Sequence, residues 1–444
     1  MKFYNREKEL KALDEIRQMS FNNHSQMTVL TGRRRVGKTK LIFKSCEGSP
    51  TVYLFVGRMN EASLCRQFSL SASKALEVFI PQGITSFVEL FEQLMNIGQH
   101  QPFNLVIDEF QEFFYINESV YSGIQDVWDR YKDISHVNFI ASGSVYTLMN
   151  RIFMEYKEPL YGRCDNLIKL QAFSTHILKE ILRDYSPHYT NDDLLALYTF
   201  TGGIPKYVEI LLDHGCYTVD AMIEYITKEN SIFLEEGNIL LIQEFGKKYG
   251  NYYAILSAIA SGRNTTAEIS ESIGNASVGG LLQRLESDYD IIAKKRPILS
   301  KEGTQTVRYE IADNFLRFWF RYIVKNQDLI QSGMNSVLTE IVKSDYTTYS
   351  GMTLERYFRD QLREKQLFRQ IGSWWETSKG KGQAQNEIDI VAIYADNKKV
   401  LVAEVKRQGK NYKPELFEEK VNAIRTKLFF KYKIETQCLT MEDM

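Results

Sequence analysis

The feature that most constrains this chain is the glycine-rich run at residues 28–39, which reads TVLTGRRRVGKT. After a short apolar stretch, the run follows the pattern G-x-x-x-x-G-K-T from Gly32 onward. A loop that wraps a phosphate group brings backbone N–H groups close to it, which requires residues without bulk at Gly32 and Gly37. The helix expected to begin near Lys38 directs its positive end at the same anion. The run therefore predicts a phosphate-binding loop between a buried strand and a helix.

The side chains of this loop match the chemistry of a nucleoside triphosphate. Lys38 can reach the β- and γ-phosphates, and Thr39 offers a hydroxyl group to a Mg²⁺ ion. ATP and Mg²⁺ are therefore the expected cofactors. We expect the nucleotide to contact the whole run, namely Gly32, Arg33, Arg34, Arg35, Val36, Gly37, Lys38, Thr39 and Lys40.

A second apolar run, at residues 103–110, reads FNLVIDEF and contains two adjacent carboxylates near its end. Strands and helices alternate in this part of the chain, which predicts a parallel sheet with helical crossovers. Ligands of such sheets bind at the carboxyl ends of the strands, so Asp108 and Glu109 should lie beside the phosphate loop. We expect Asp108 to hold Mg²⁺ through water and Glu109 to orient the attacking water. The alternative is a strand whose acidic end is only solvated.

Three later features are weaker candidates for contact with the nucleotide. Ser142 or Ser144, at the end of another apolar run, could sense the γ-phosphate, although serine is also common in turns. Arg163, in the segment PLYGR, could reach the γ-phosphate in cis or from a neighbouring copy. The segment at 202–207, GGIPKY, predicts a rigid turn that either touches the base or simply joins two helices.

Composition limits the class of protein. The chain has 444 residues, of which 44% are apolar and 25% charged, and its formal charge is −1. These values are typical of a globular protein with several domains and exclude a strongly basic one, so any nucleic-acid surface must be local. The five cysteines form no C-x-x-C pair, which predicts neither a zinc knuckle nor a disulfide framework. Because the amino terminus is charged and no apolar run reaches about 18 residues, we expect a cytoplasmic protein without a membrane partner.

The middle of the chain has the order of elements that is typical of a winged helix. Three helical patterns and two strands follow each other at 252–260, 265–273, 278–286, 291–298 and 307–311. Thr265 and Glu268 have the spacing of a capping box at the start of the second helix. The wing carries Lys294, Lys295 and Arg296, which could contact phosphates. Acidic residues surround the expected recognition helix, however, so protein docking or DNA-shape recognition is favoured over reading a DNA sequence.

Two strands near the carboxyl terminus carry charged residues on one face. A period of two puts Glu404 and Lys406 on the same side of one strand, and Glu387 and Asp389 on the same side of another. Burying an acid and a lysine on an otherwise apolar strand is costly unless they pair or bind a metal. If the strands are neighbours, Asp389 and Glu404 converge on one hard cation such as Mg²⁺. A buried ion pair in an inactive domain is the alternative.

The ordered set FYNREKEL, GRRRVGKT, LVIDEFQ, IASGS, PLYGR and TGGIP makes residues 1–235 similar to the archaeal-type AAA+/STAND ATPase family. The resemblance implies that Arg6 and its neighbours lie near the adenine and that Arg163 acts at the γ-phosphate. It also implies that Pro205 belongs to the nucleotide-proximal turn of a small helical lid.

The arrangement of Glu355, Asp389, Glu404 and Lys406 resembles the PD-(D/E)XK nuclease fold over residues 340–435. A domain of unknown function with this resemblance commonly follows the ATPase. The pattern lacks a proline before Asp389, which removes no ligand. The resemblance implies that Glu355, Asp389 and Glu404 bind a metal ion, while Lys406 positions water and offsets charge on the scissile phosphate.

Together these features predict an α/β chain. Its expected domains are a P-loop ATPase core with a parallel sheet at 1–170, a helical lid at 171–240, a winged helix at 241–335 and a nuclease-like α/β domain at 336–444. The leading hypothesis is an ATP-hydrolysing switch coupled to metal-dependent action on DNA through the last two domains. The alternative is a slow-turnover, ATP-gated regulatory or signalling adaptor that binds DNA or protein without cleaving it. A protein partner or a second copy of the chain is also expected.

Overall fold

The computed structural model describes residues 1–144, 146–246, 249–301, 307–377 and 384–444. They form two compact units, Lys2–Ala172 and Phe173–Met444, and Met1 groups with the second. Within the described ranges, no helix has both the length and the apolar character needed to cross a membrane.

The first unit alternates helices and strands along the chain. Its helices are α1 (Glu7–Asn22), α2 (Lys38–Ser45), α3 (Glu61–Leu76), α4 (Phe87–Ile97), α5 (Phe113–Ile116), α6 (Ser119–Tyr131) and α7 (Tyr146–Met154). Its strands are β1 (Gln26–Gly32), β2 (Thr51–Phe55), β3 (Phe103–Asp108), β4 (Val137–Gly143) and β5 (Asn166–Leu170).

These strands form one parallel sheet, which has five strands in the described part of the unit, in the order β2-β3-β4-β1-β5. In the register of the sheet, Gly32 lies opposite Leu170, and Asp108 lies opposite Ser142. Because the strands run in one direction, the phosphate loop after β1 and the acids after β3 share one edge of the sheet. The predicted α/β class with a parallel sheet is confirmed.

The strands of the first unit are apolar because helices cover both faces of the sheet. Every residue of β1, β3 and β4 is buried, as expected for the central strands of a parallel sheet. Successive side chains enter different cores: Val29 packs with α3, α4 and α6, while Leu30 packs with Leu13 of α1 and Leu41 of α2. Because helices pack on both faces of the sheet, the polar residues at the carboxyl ends of its strands are held in fixed positions.

The second unit begins with helices and ends in a small mixed sheet. Its helices are α8 (Thr175–Tyr185), α9 (Asn191–Thr201), α10 (Pro205–Asp213), α11 (Val219–Thr227), α12 (Ile232–Phe245), α13 (Tyr249–Ala260), α14 (Thr266–Ser272), α15 (Gly279–Ser287), α16 (Asn314–Phe318), α17 (Gln327–Gln331), α18 (Asn335–Glu364) and α19 (Pro414–Lys427). Its strands are β6 (Ile292–Lys295), β7 (Arg308–Ile311), β8 (Phe368–Thr377), β9 (Ala384–Tyr394), β10 (Lys399–Lys406) and β11 (Lys433–Thr440).

The middle of this unit has the order of elements that the sequence predicts. Helices α13, α14 and α15 precede the antiparallel pair β6 and β7, in which Lys294 lies opposite Tyr309. Both bonds of the capping box between Thr265 and Glu268 are formed. We refer to β6, β7 and the residues between them that the structure describes as the hairpin.

The carboxyl-terminal sheet has the order β11-β10-β9-β8 in the described residues. Its strand β10 pairs in parallel with β11 and antiparallel with β9, so the sheet is mixed. Val391 and Val402 pack with Phe417 and Val421 of α19 on one face. The long helix α18 contacts strands β8, β9 and β10.

Arg356 joins this long helix to the hairpin. Its guanidinium donates to the carbonyl oxygens of Ile311 (2.8 Å) and Ala312, and it lies 3.0 Å from a carboxylate oxygen of Glu310. Burial opposes ionisation of Glu310, but Arg356 and Lys295 more than offset it, and the pKa of Glu310 falls to about 2. Since Arg356 is only 8% exposed, its removal leaves the carbonyl oxygens of Ile311 and Ala312 without this donor, while Glu310 keeps Lys295 as its partner.

We therefore expect Arg356→Met to destabilise the second unit by about 1–3 kcal/mol, the usual cost of leaving buried polar groups without their hydrogen-bond partner. Urea unfolding followed by tryptophan fluorescence measures this, because the second unit contains Trp319, Trp374 and Trp375. Arg363→Met is the matched control, since Arg363 pairs with Asp360 on the exposed end of the same helix. Equal unfolding midpoints for the two variants would contradict the assigned role of Arg356.

Candidate functional site

The phosphate loop needs glycine at two positions. Gly32 has φ +150°, and a Cβ atom there would lie 2.7 Å from the carbonyl oxygen of Leu170. Gly37 has φ +95°, a left-handed conformation that side chains disfavour, and it immediately precedes α2. The loop can therefore take its close path between β1 and α2 only with these residues.

Lys38 lies inside the curve of this loop. Its ammonium group donates to the carbonyl oxygens of Gly32 (2.8 Å) and Arg33 (3.3 Å), and the side chain is buried. The ammonium group is thus held at the first two residues of the loop, Gly32 and Arg33. The arrangement can bind the β- and γ-phosphates of a nucleotide.

Thr39 and Asp108 meet at the edge of the sheet. The Thr39 hydroxyl donates to Oδ2 of Asp108 at 3.0 Å, and both atoms are hard oxygen donors of the kind that Mg²⁺ prefers. Opposite Asp108 lies Ser142, whose buried hydroxyl has no hydrogen-bond partner among the described residues. A buried polar atom without a partner indicates space for water or a ligand, so the residues present fit a hydrated Mg²⁺ ion.

One carboxylate oxygen of Glu109 accepts hydrogen bonds from two side chains. Ser144 Oγ donates to Oε2 of Glu109 at 2.8 Å, and Gln111 Nε2 donates to the same atom at 2.5 Å. Glu109 itself has a left-handed backbone (φ 55°), which turns the chain sharply after β3. From the sequence, Ser144 is a candidate γ-phosphate sensor, whereas Gln111 is only the last residue of the motif LVIDEFQ and has no predicted role.

Arg6 contacts the phosphate loop from the amino-terminal segment. Its guanidinium donates to the carbonyl oxygens of Gln171 at 2.8 Å and Val36 at 3.4 Å, and the side chain is buried. The structure thus brings Arg6 and Val36 together. The contact of Arg6 with adenine stays a prediction.

Arg163 lies at the opposite edge of the sheet. Its guanidinium donates to both carboxylate oxygens of Asp129 on α6. The peptide N–H of Asp165 donates to the carbonyl oxygen of Met27, and Met27 is separated from Gly32 by about 16 Å of strand. The geometry contradicts the prediction that Arg163 reaches the γ-phosphate of its own chain. Action on a neighbouring copy stays a prediction.

Pro205 is the first residue of α10 in the second unit. It follows Gly202 and Gly203, which have φ of 57° and 73° and form the predicted turn. The contact of Pro205 with the nucleotide stays a prediction.

In the carboxyl-terminal sheet, Asp389 and Glu404 lie on one face. Ala403 is opposite Ile390, so Glu404 and Asp389 are the next facing residues of the antiparallel pair. Lys406 lies 2.9 Å from Glu404 Oε1 and 3.9 Å from Asp389 Oδ2. The predicted convergence of these three residues is therefore present.

A second lysine changes the chemistry of this face. Lys420 on α19 donates to both oxygens of Glu404 at 3.1 Å, so two lysines offset the charge of this one acid. In the part of the chain that the structure describes, no group of three or more His, Cys, Asp or Glu is placed to hold a metal ion. The structure thus differs from the predicted metal site of Glu355, Asp389 and Glu404. The sequence missed Lys420 because it comes from a helix 16 residues further on.

Glu355 and Asp389 line a pocket of about 130 Å³ beneath the hairpin. The hairpin side of the pocket is formed by Lys295, Arg308, Tyr309 and Glu310. Burial and the charge of Asp389 raise the pKa of Glu355 to about 7, although Arg359 opposes the rise. Burial also raises the pKa of Asp389, although the hydrogen bond that Asp389 accepts from the Val405 N–H lowers it. The two acids thus lie in a confined site.

The hairpin holds its basic side chains against this pocket. Arg308 lies 3.6 Å from Glu387 and 4.8 Å from the centre of the Trp375 ring. Lys295 pairs with Glu310 at 2.7 Å, and burial followed by the charge of Arg359 lowers the pKa of Lys295 to about 8. The sequence predicts phosphate contacts for Lys295, but the structure turns it toward protein.

Two family models match the chain. A family model described as an ATPase domain predominantly from Archaea matches residues 3–211. A second model, described as Archaea bacterial proteins of unknown function, matches residues 319–421.

A relative and a solved structure match most of the chain. An uncharacterized protein of Methanocaldococcus jannaschii is 31% identical over 420 residues, which span 91% of this chain and 87% of that protein. The Walker-type ATPase of Pyrococcus abyssi has a TM-score of 0.54 at 19% identity and covers 72% of this chain and 96% of its own, which supports the fold alone. The chain belongs to the predominantly archaeal ATPase family in which the ATPase domain is followed by a domain of unknown function.

Proposed function

We propose that this chain is a switch ATPase that binds and hydrolyses ATP with its first unit. The observation that carries the proposal is the 3.0 Å contact between Thr39 and Asp108 at the sheet edge beside the phosphate loop. Lys38, buried within the same loop, supplies the positive charge that the phosphates require. The archaeal ATPase family match supports this function.

In the proposed mechanism, Lys38 and the N–H groups of the loop bind the β- and γ-phosphates. Bound Mg²⁺ would neutralise charge on the phosphate oxygens, held by Thr39 and, through water, by Asp108. Glu109 accepts a hydrogen bond from the attacking water and orients it. Because Ser144 and Gln111 both donate to Oε2 of Glu109, we assign Oε1 to the water.

For the second unit, we propose the adaptor role rather than cleavage of DNA. The nuclease hypothesis is supported by the shared face of Asp389, Glu404 and Lys406. Against it, Lys420 and Lys406 already neutralise Glu404, and Lys295 is paired with Glu310. Because these lysines are paired with acids of the protein, we favour docking of a protein partner over binding of DNA phosphates.

Lys38→Ala should weaken ATP binding by about 100-fold or more, because charge-assisted hydrogen bonds to phosphate are lost. Isothermal titration calorimetry measures the affinity. Lys44→Ala is the matched control, since Lys44 lies at the far end of α2 and pairs with Glu47. Unchanged affinity in Lys38→Ala would remove the basis of the proposed nucleotide site.

Glu109→Gln keeps the shape of the side chain but loses the carboxylate. We expect ATP affinity to stay within about twofold, while turnover falls by about 100-fold or more, as for a group that positions the attacking water. Phosphate release measures turnover, and Glu112→Gln, which alters an acid that pairs with Arg58, is the control. Wild-type turnover in Glu109→Gln would place the catalytic carboxylate elsewhere.

The adaptor proposal predicts that the wild-type protein and Glu404→Ala do not differ in nicking supercoiled DNA. The ammonium groups of Lys406 and Lys420, rather than a metal ion, balance the charge of Glu404. Agarose gels across a range of Mg²⁺ and Mn²⁺ concentrations, with and without ATP, measure nicking. Lys38→Ala controls for metal use at the nucleotide site. Nicking by the wild type that Glu404→Ala abolishes would refute the adaptor proposal and restore the nuclease hypothesis.

A further inference from the structure

Tyr53 contacts the acid that the proposed function assigns to Mg²⁺. It lies on β2, beside β3, and its hydroxyl donates to Oδ2 of Asp108 at 2.7 Å. This is the same oxygen that accepts the hydroxyl of Thr39. The other oxygen, Oδ1, accepts the backbone N–H of Glu109 at 3.1 Å. Three donors from three elements therefore fix the plane of one carboxylate.

The ring of Tyr53 is held by the helix that follows the phosphate loop. Its centroid lies 4.9 Å from that of Phe43, which is one helical turn beyond Thr39 on α2. Tyr53 also packs against the core that contains Val36 of the loop and Val106 of β3. The ring of Tyr53 is therefore packed against residues of α2, of the loop and of β3.

The environment keeps this hydroxyl a donor. Burial raises the pKa of Tyr53, and the hydrogen bond and charge of Asp108 raise it further. The O–H bond of Tyr53 is directed at Oδ2 of Asp108. A hydrogen bond from a neutral donor to a carboxylate is among the stronger side-chain interactions in proteins.

A bound Mg²⁺ would affect the two donors to Asp108 Oδ2, Thr39 and Tyr53, in different ways. The Thr39 hydroxyl is the group expected to turn its oxygen toward Mg²⁺. Tyr53, which donates to the same oxygen from β2, has no such second role in the proposed site. It can hold Asp108 in place while Thr39 changes partner, as the hydrogen-bond partner of a metal ligand does when it fixes that ligand's orientation.

We propose that Tyr53 is a positioning residue for the divalent cation at the nucleotide site. This inference rests on the proposed ATPase function. Its specific consequence is that loss of the hydroxyl raises the Mg²⁺ requirement and leaves the chemical step and the binding of metal-free ATP largely intact.

Tyr53→Phe removes one oxygen atom and tests the proposal directly. We expect the Mg²⁺ concentration for half-maximal turnover to rise about three- to tenfold, the range by which outer-shell partners weaken metal sites. The maximal rate at saturating Mg²⁺ should stay within about twofold. Electron paramagnetic resonance of Mn²⁺ with ATP should show the same fold-change in metal affinity. Phe43→Leu, which loosens the ring contact and keeps the hydroxyl, should shift the requirement by less than about twofold.

A double-mutant cycle excludes a general effect on folding. In an Asp108→Asn background, Tyr53→Phe should change the Mg²⁺ requirement by less than about twofold, because the two residues act through one contact. An unchanged or lower requirement in Tyr53→Phe alone, or additive shifts in the double variant, would overturn the inference. If the wild type neither bound nor turned over ATP at any Mg²⁺ concentration, the proposed function itself would fail, and the two failures are thereby distinguishable.

Discussion

Asp108 carries a carboxylate at the end of a fully buried strand, with only 4% of its surface exposed. Burying such a group is costly unless hydrogen bonds or a cation offset its charge. Thr39, Tyr53 and the N–H of Glu109 supply those bonds from α2, β2 and the turn after β3. The parallel sheet brings these elements to one edge, so the nucleotide site depends on strand order as much as on the loop motif.

Much of this arrangement could be predicted because it depends on local patterns. Gly32 and Gly37 predict a tight loop before Lys38, since side chains disfavour the backbone conformations that such a loop requires. The spacing of Thr265 and Glu268 predicts a helix start because a capping box involves residues close in sequence. The period of two places Asp389 and Glu404 correctly, because strand alternation determines which side chains share a face.

The rest depends on which distant elements become neighbours. Tyr53 and Lys420 act through atoms brought together by sheet order and by a helix packing on the sheet, and no pattern near either residue indicates this. Arg163 was misplaced for a related reason: the direction of β5 puts the segment before it at the edge away from the loop. In the second unit, charges that suggested a cation or DNA are matched within the protein, as Lys295 with Glu310.

The position of Tyr53 on β2 has a consequence for the edge of the sheet. Strand β2 is the outermost member of its sheet in the described residues, joined to β3 on one side. Edge strands are where a second polypeptide can add by backbone pairing. A peptide that paired with β2 there would lie beside the strand that carries Tyr53, which contacts β3 through its hydroxyl group and through the backbone pairing of the two strands. Asp108 therefore lies only one strand away from a sheet margin at which a second chain can pair.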